Sequence, residues 1–232
     1  MDRRSFMETC TAGAAGLSLA LPALAADARP KGYDRALLVN QRGDPLRAAQ
    51  LLPQTNYVFH YPFEATPVFL LDLGKPAAPQ ALSTERKDAY SWPGGVGRNR
   101  SIVAFSAICT HQLVYPTQDV SFISFRKTRA RKGLHDNVIH CCAEHSQYDP
   151  AKGALVLSGP ARQPLCAVLL QHDAKADTLT AYATLGGELF DEFFRKYEMK
   201  LSLEVGARAR NAVSGRAVVR ELDKFCRNSV QC

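Results

Sequence analysis

Cys109 and His111 stand two positions apart, Cys142 and His145 three apart, and 30 residues separate His111 from Cys142. Each short segment therefore carries one thiolate and one imidazole donor, and the two together offer a Cys2His2 set. Two chemistries suit such a set. A structural zinc ion takes four of these ligands in a tetrahedron. A two-iron, two-sulfide cluster takes the same four, with both cysteines on one iron and both histidines on the other. The spacing favours the cluster, because each segment then gives one ligand to each iron, whereas zinc modules usually pair ligands across longer gaps. Cys141 adjoins Cys142, and neighbours on a strand point to opposite faces. Cys141 is accordingly read as a non-ligand; a register one residue earlier would require Cys-x-x-x-His.

These two segments need a frame, and the chain can build one. It has 232 residues, 46% of them apolar and 22% charged, enough for a sizeable core and unlike a disordered chain. From residue 57 onward, short runs rich in β-branched and aromatic residues alternate with turn residues such as Pro93-Gly94-Gly95, Asp149-Pro150 and Gly159-Pro160. Strands are expected at 57–61, 68–73, 101–108, 120–125, 137–140, 153–158, 166–171 and 178–183. The fold class implied is all-β, an antiparallel β-sandwich with a small subdomain carrying the ligand segments and one C-terminal helix. That helix is expected over 187–201, where Leu189, Phe190, Phe193, Phe194 and Tyr197 share a face suited to core packing. Residues 26–55 show little periodicity and read as a linker or arm, with a short helix near 46–52. The division is then 1–25, 26–55, a β domain at 56–185, and a helix and tail at 186–232.

Residues 1–25 read as an export signal. Arg3-Arg4 opens it, a weakly apolar stretch follows, and Ala23-Leu24-Ala25 ends it in the small-x-small pattern of a peptidase site. Arg-Arg-x-Phe-Met resembles the twin-arginine signal of proteins exported already folded. An uncleaved membrane anchor is the alternative. The formal charge of +7 would suit nucleic acid, but a periplasmic destination argues against that partner.

The flanks of the two segments carry a family resemblance. Trp92-Pro93-Gly94-Gly95-Val96-Gly97, a strand through Phe105, and then Cys109-Thr110-His111 resemble the first cluster loop of Rieske iron–sulfur proteins. His145-Ser146-Gln147-Tyr148-Asp149-Pro150 with Gly153 resembles the second, and Gly159-Pro160-Ala161 the proline loop that covers the cluster. The likeness spans about 90–170 and is nearest to the exported Rieske subunits of quinol–cytochrome c oxidoreductase and arsenite oxidase. It implies a [2Fe–2S] cofactor held by Cys109, His111, Cys142 and His145. Ser146, Tyr148, Glu144 and Pro160 would lie around it, Ser146 and Tyr148 as hydrogen-bond donors. Folded export agrees, since such clusters are normally inserted in the cytoplasm. The expected role is a periplasmic one-electron carrier or the small redox subunit of a larger oxidoreductase, with a protein redox partner. The rivals are a quinol-oxidising subunit and a zinc-stabilised module.

Departures from the family pattern sharpen the expectation. The loop cysteines that form a bracing disulfide in quinol-oxidising members fall at Val114 and Glu144. The Gly after the second ligand His is absent, so the second loop looks one residue short. These features and the Glu144 carboxylate all argue for a low reduction potential. Four cysteines remain after Cys10 leaves with the signal: Cys141, Cys166, Cys226 and Cys232. They allow three pairings, of which Cys226–Cys232 is favoured in an oxidising compartment. Free buried thiols are the alternative. Five of the seven residues 126–132 are basic, a solvated hairpin tip or a docking patch for an acidic redox partner. His60, His135, His140 and His172 read as ordinary residues.

Overall fold

Strand runs that are apolar on both faces must be covered on both, and two such runs organise this molecule. The computed structural model describes residues 29–128 and 135–232. The expected export signal and residues 129–134, which include most of the basic run, lie outside them. In chain order the strands are β1 (Lys31–Val39), β2 (Tyr57–His60), β3 (Pro67–Asp72), β4 (Gln80–Ser83), β5 (Ala89–Trp92), β6 (Ile102–Ser106), β7 (Val120–Ser121) and β8 (Ile123–Arg126). They continue with β9 (Val138–Cys141), β10 (Ser146–Asp149), β11 (Leu155–Ser158), β12 (Ala167–Asp173) and β13 (Thr178–Leu185). Helices α1 (Phe190–Lys196) and α2 (Glu198–Glu204) follow, then β14 (Gly215–Val218), β15 (Arg220–Glu221), α3 (Leu222–Phe225) and β16 (Asn228–Ser229).

An eight-stranded sheet runs β14-β1-β13-β12-β6-β3-β2-β15, antiparallel except where β14 joins β1. A four-stranded sheet, β11-β10-β9-β8, packs against it. The alternation of side chains along β3 and β6 divides the core. Phe69, Leu71, Val103 and Phe105 face the small sheet and meet Ile123, Phe125, Ile139 and Tyr148. Val68, Leu70, Ile102 and Ala104 face the other way, into a second core with Leu38, Phe59 and Tyr61, around which the large sheet curls until β14 meets β2. The chain is all-β, as its pattern implies.

Besides β4, β5 and the short elements after residue 214, which no pattern announced, three stretches differ from expectation. The stretch read as an arm contributes β1, whose inner residues Ala36 and Leu38 are fully buried; its first half carries exposed Lys31, Asp34 and Arg35, which hid the strand. The helix near 46–52 is a single 3-10 turn, Ala48–Gln50. The C-terminal helix is two helices meeting at Tyr197, whose backbone leaves the helical region at φ −109 and ψ 18. Tyr197 spends its ring on Tyr115 and Phe193, which holds the break. The aromatic stripe is core packing: Phe190, Phe193 and Phe194 lie with Ile108 and Tyr115, on either side of the first ligand loop.

Candidate metal centre

β6 delivers the first loop and the β9–β10 turn delivers the second, and the two are built alike. Cys109 N–H donates to the Val114 carbonyl and Leu113 N–H to the Cys109 carbonyl, both at 2.8 Å, closing a hairpin loop on Cys109 and Val114. In the second loop Cys141 pairs with Ser146, the same span of five residues. Leu113 and His145, each four residues after its cysteine, both take left-handed backbone at φ 59 and 58. His tolerates that conformation better than most side chains. The backbone N–H groups of His111 and Gln112 point at Cys109 Sγ, and those of Ala143 and Glu144 at Cys141 Sγ. In both loops these are the second and third residues after the cysteine.

The two buried thiols face one another across the loops and share a hydrogen bond. That bond, aided by Tyr148 and the loop N–H groups against the cost of burial, pulls Cys109 down to about 6. Cys141, the donor to Cys109 and itself buried, is pushed up. Tyr148 is fully buried, and its hydroxyl lies 3.2 Å from Cys109 Sγ while accepting from Thr110 N–H at 3.2 Å. Burial first, then the nearby Cys109, raises the Tyr148 hydroxyl, so it stays protonated. Thr110 Oγ1 donates to the Gln163 carbonyl at 2.8 Å, tying the first loop to the covering loop. Ser146 Oγ accepts from Ala161 N–H at 3.2 Å. A Cβ on Gly159 would lie 2.5 Å from Ser146 Cα and 2.6 Å from the His145 carbonyl, so only glycine lets the covering loop approach this closely. Pro160 follows it at the exposed tip.

Two expectations about cysteine are corrected. Cys142 is bonded to Cys232 in a disulfide spanning 90 residues, and Cys226 is a free thiol. The expected Cys226–Cys232 bridge is therefore absent, because the tail runs beside β7 and brings Cys232 to the second loop instead. Cys142, its sulfur already bonded, is not available as a thiolate, and the sulfur facing Cys109 belongs to Cys141. The two neighbours do point to opposite faces, and the inward one is Cys141. Counting from Cys141 restores the residue the second loop had seemed to lack, and that count was the overlooked signal. Glu144 is exposed at the outer rim.

The donor types, two Cys and two His, are those that a two-iron cluster takes. Cys109 and Cys141 form a facing pair of sulfurs, each with two backbone N–H groups directed at it. His111 adds a buried Nδ1 with no hydrogen-bond partner among the described residues, an acceptor that burial otherwise penalises. His145, on the second loop, stands beside His140 and Cys232: one ligand atom from each lies within 4.8 Å of the others. Thr110, Cys141, His140, Gln163 and Cys232 are contributors that motif spacing passed over.

No protein-family model matches the chain. Among solved structures it is similar to the soluble domain of the Rieske protein II (soxF) from Sulfolobus acidocaldarius, at 26% identity and a TM-score of 0.48. The match covers 67% of this chain and 82% of that one.

Proposed function

We propose that this chain is an electron-transfer protein carrying a Rieske-type [2Fe–2S] cluster on Cys109, Cys141, His111 and His145. One observation carries the reading: two like hairpins present their cysteine sulfurs to each other, each with two backbone N–H groups aimed at it. A bound cluster of this kind supplies one-electron redox chemistry. The chain's own groups hold negative charge on sulfur, through the four N–H dipoles and the Tyr148 hydroxyl on Cys109. The Gly159 loop, seated on His145 and Ser146, keeps water from the thiolate side. His111 and His145 belong to the outer side, where an electron leaves for a partner. The protein breaks no substrate bond by itself; it serves as a carrier or small subunit for a larger oxidoreductase.

The ligand reading is tested by iron and acid-labile sulfide content and by low-temperature EPR on anaerobically purified protein. Cys141→Ser should abolish the cluster, and Cys142→Ser should keep most of it. The reverse result would return the ligand role to Cys142. Export by the twin-arginine route, with residues 1–25 as leader and the periplasm as destination, belongs to the same proposal. Its support is the pairing of Arg3-Arg4 with a cofactor that must be inserted before export. Changing Arg3-Arg4 to Lys-Lys should leave the precursor in the cytoplasm, measured by fractionation; delivery unchanged would refute this part.

A further inference from the structure

The Cys142–Cys232 disulfide does not stand alone. His140 is buried in the middle of the small sheet on β9, and its Nδ1 and Nε2 lie 3.6 and 3.7 Å from Cys232 Sγ. His145 tilts against it with ring centroids 5.7 Å apart. Two sulfurs and two imidazoles thus gather at one place, drawn from β9, the second loop and the end of the tail. Each is held by its backbone. His140 lies in register between Ser124 and Gln147. Cys142 N–H donates to the Phe122 carbonyl at 2.6 Å, and Val230 N–H to Ser121 at 2.9 Å. The Arg126 guanidinium also bonds the Val230 carbonyl.

We propose that this disulfide is a redox lock on a second metal site, a Cys2His2 set of Cys142, Cys232, His140 and His145 that takes Zn2+ once the bond is reduced. The class of ion follows from the donors: two thiolates and two neutral imidazoles with no carboxylate suit zinc in a closed tetrahedron. One ligand atom each of His140, His145 and Cys232 already lies within 4.8 Å of the others, and Cys142 Sγ is bonded to Cys232 Sγ until reduction lets the two sulfurs part around the ion. The reductant is a dithiol of the disulfide-exchange class. Its two thiols form their own disulfide and transfer two electrons and two protons. The Cys142–Cys232 bond breaks and two thiols form; Zn2+ then binds both as thiolates and releases two protons to water. His145 is also a ligand of the cluster proposed above. The two sites therefore compete for one imidazole, and reduction of the tail lock draws it outward, away from Cys109 and Cys141. That competition rests on the cluster reading; the zinc site does not.

The test uses the full chain and Co2+ as a spectroscopic probe for zinc, with a phosphine reductant that opens the disulfide without competing for metal. A Cys109→Ser/Cys141→Ser variant removes the inner thiols. After reduction it should bind about one Co2+ per chain, with thiolate-to-cobalt charge-transfer bands and tetrahedral d–d absorption. Before reduction it should bind none. Adding Cys232→Ser or His140→Ala should abolish the bands, and reoxidation of otherwise unaltered protein should expel the metal. Binding indifferent to reduction, or bands that survive Cys232→Ser, would overturn the proposal. In wild-type protein loaded with iron, reduction plus Zn2+ should bleach the cluster's EPR signal. Loss of the iron signal in all samples with the cobalt bands intact would sink the cluster reading while leaving the zinc site standing.

Discussion

At the scale of single residues, the centre turns on which of two adjacent cysteines faces inward. The choice is made by hydrogen bonding. A thiolate collects N–H donors, and the second loop aims the N–H groups of Ala143 and Glu144 at Cys141, as the first aims those of His111 and Gln112 at Cys109. The motif Cys-x-x-His hid this, because it matches a spacing and says nothing of where backbone dipoles point. His145 compounded the error: it occupies the left-handed position that the missing Gly was expected to supply. Tyr148 is expected as a donor to the centre, and its hydroxyl lies 3.2 Å from Cys109 Sγ. Such a donor favours the reduced, more negative state, so Tyr148→Phe should lower the midpoint potential by tens of millivolts, about 1 kcal/mol for the net worth of one hydrogen bond. Protein-film voltammetry reads this directly, and an unchanged midpoint would mean the hydroxyl serves packing alone. Glu144, exposed to water, should matter less than its place beside Cys142 suggested, since solvent screens an exposed charge.

Among the elements, those whose residues are buried on both faces were the legible ones. β3 and β6 carry continuous apolar runs, and a run of that kind has few alternatives to a central strand. β1, β4 and β5 were missed because one face of each is wet: β4 buries Leu82 alone, and β1 opens on exposed Lys31 and Gly32. The edge strands β15 and β16, two residues each, have no pattern long enough to read. β2 carries a pH-dependent group that its sequence also concealed. His60 packs against Phe225 with ring centroids 5.7 Å apart. Burial, with a smaller push from Arg220, brings it down to about 4. The folded state thus holds His60 neutral where the unfolded chain, near 6.5, would protonate it. Between those values the unfolded chain binds more protons, so stability falls as pH drops from about 6.5 towards 4 and levels off below. Thermal unfolding across that window should show this slope, and His60→Gln should flatten it. A slope unchanged in the variant would place the sensitive group elsewhere.

On the scale of the whole molecule, Cys142, directly after β9, is joined to Cys232 in the segment beyond β16. Their bond closes a loop across a separation of 90 residues, which holds the covering Gly159 loop, β12, β13 and both long helices. Cross-linking a loop of this length removes much of the freedom of the unfolded chain, and loss of such a bond from a native protein typically costs about 2–5 kcal/mol. The tail's other attachments are at the surface: the two-residue pairing of β16 with β7, an exposed Arg227–Asp119 ion pair, and Arg126 bonded to the Val230 carbonyl and the Gln231 side chain. The bond must therefore supply most of what keeps the tail on the second loop. For a chain of this size each kcal/mol moves the melting temperature by roughly 2–4 °C. Cys232→Ser should thus lower the melting temperature by about 5–15 °C in the presence of a chelator, which prevents metal from restabilising the reduced site. Cys226→Ser offers the comparison: that thiol is free, buried in the core and 2.8 Å from the Asn228 carbonyl, a bond that a Ser hydroxyl can also make, so with no covalent closure lost the shift should be smaller. Wild-type protein treated with a phosphine should melt where untreated Cys232→Ser does, and the variant itself should not respond to the reductant. Equal melting of oxidised and reduced wild-type protein would show that the tail is held by packing and that the covalent closure contributes nothing.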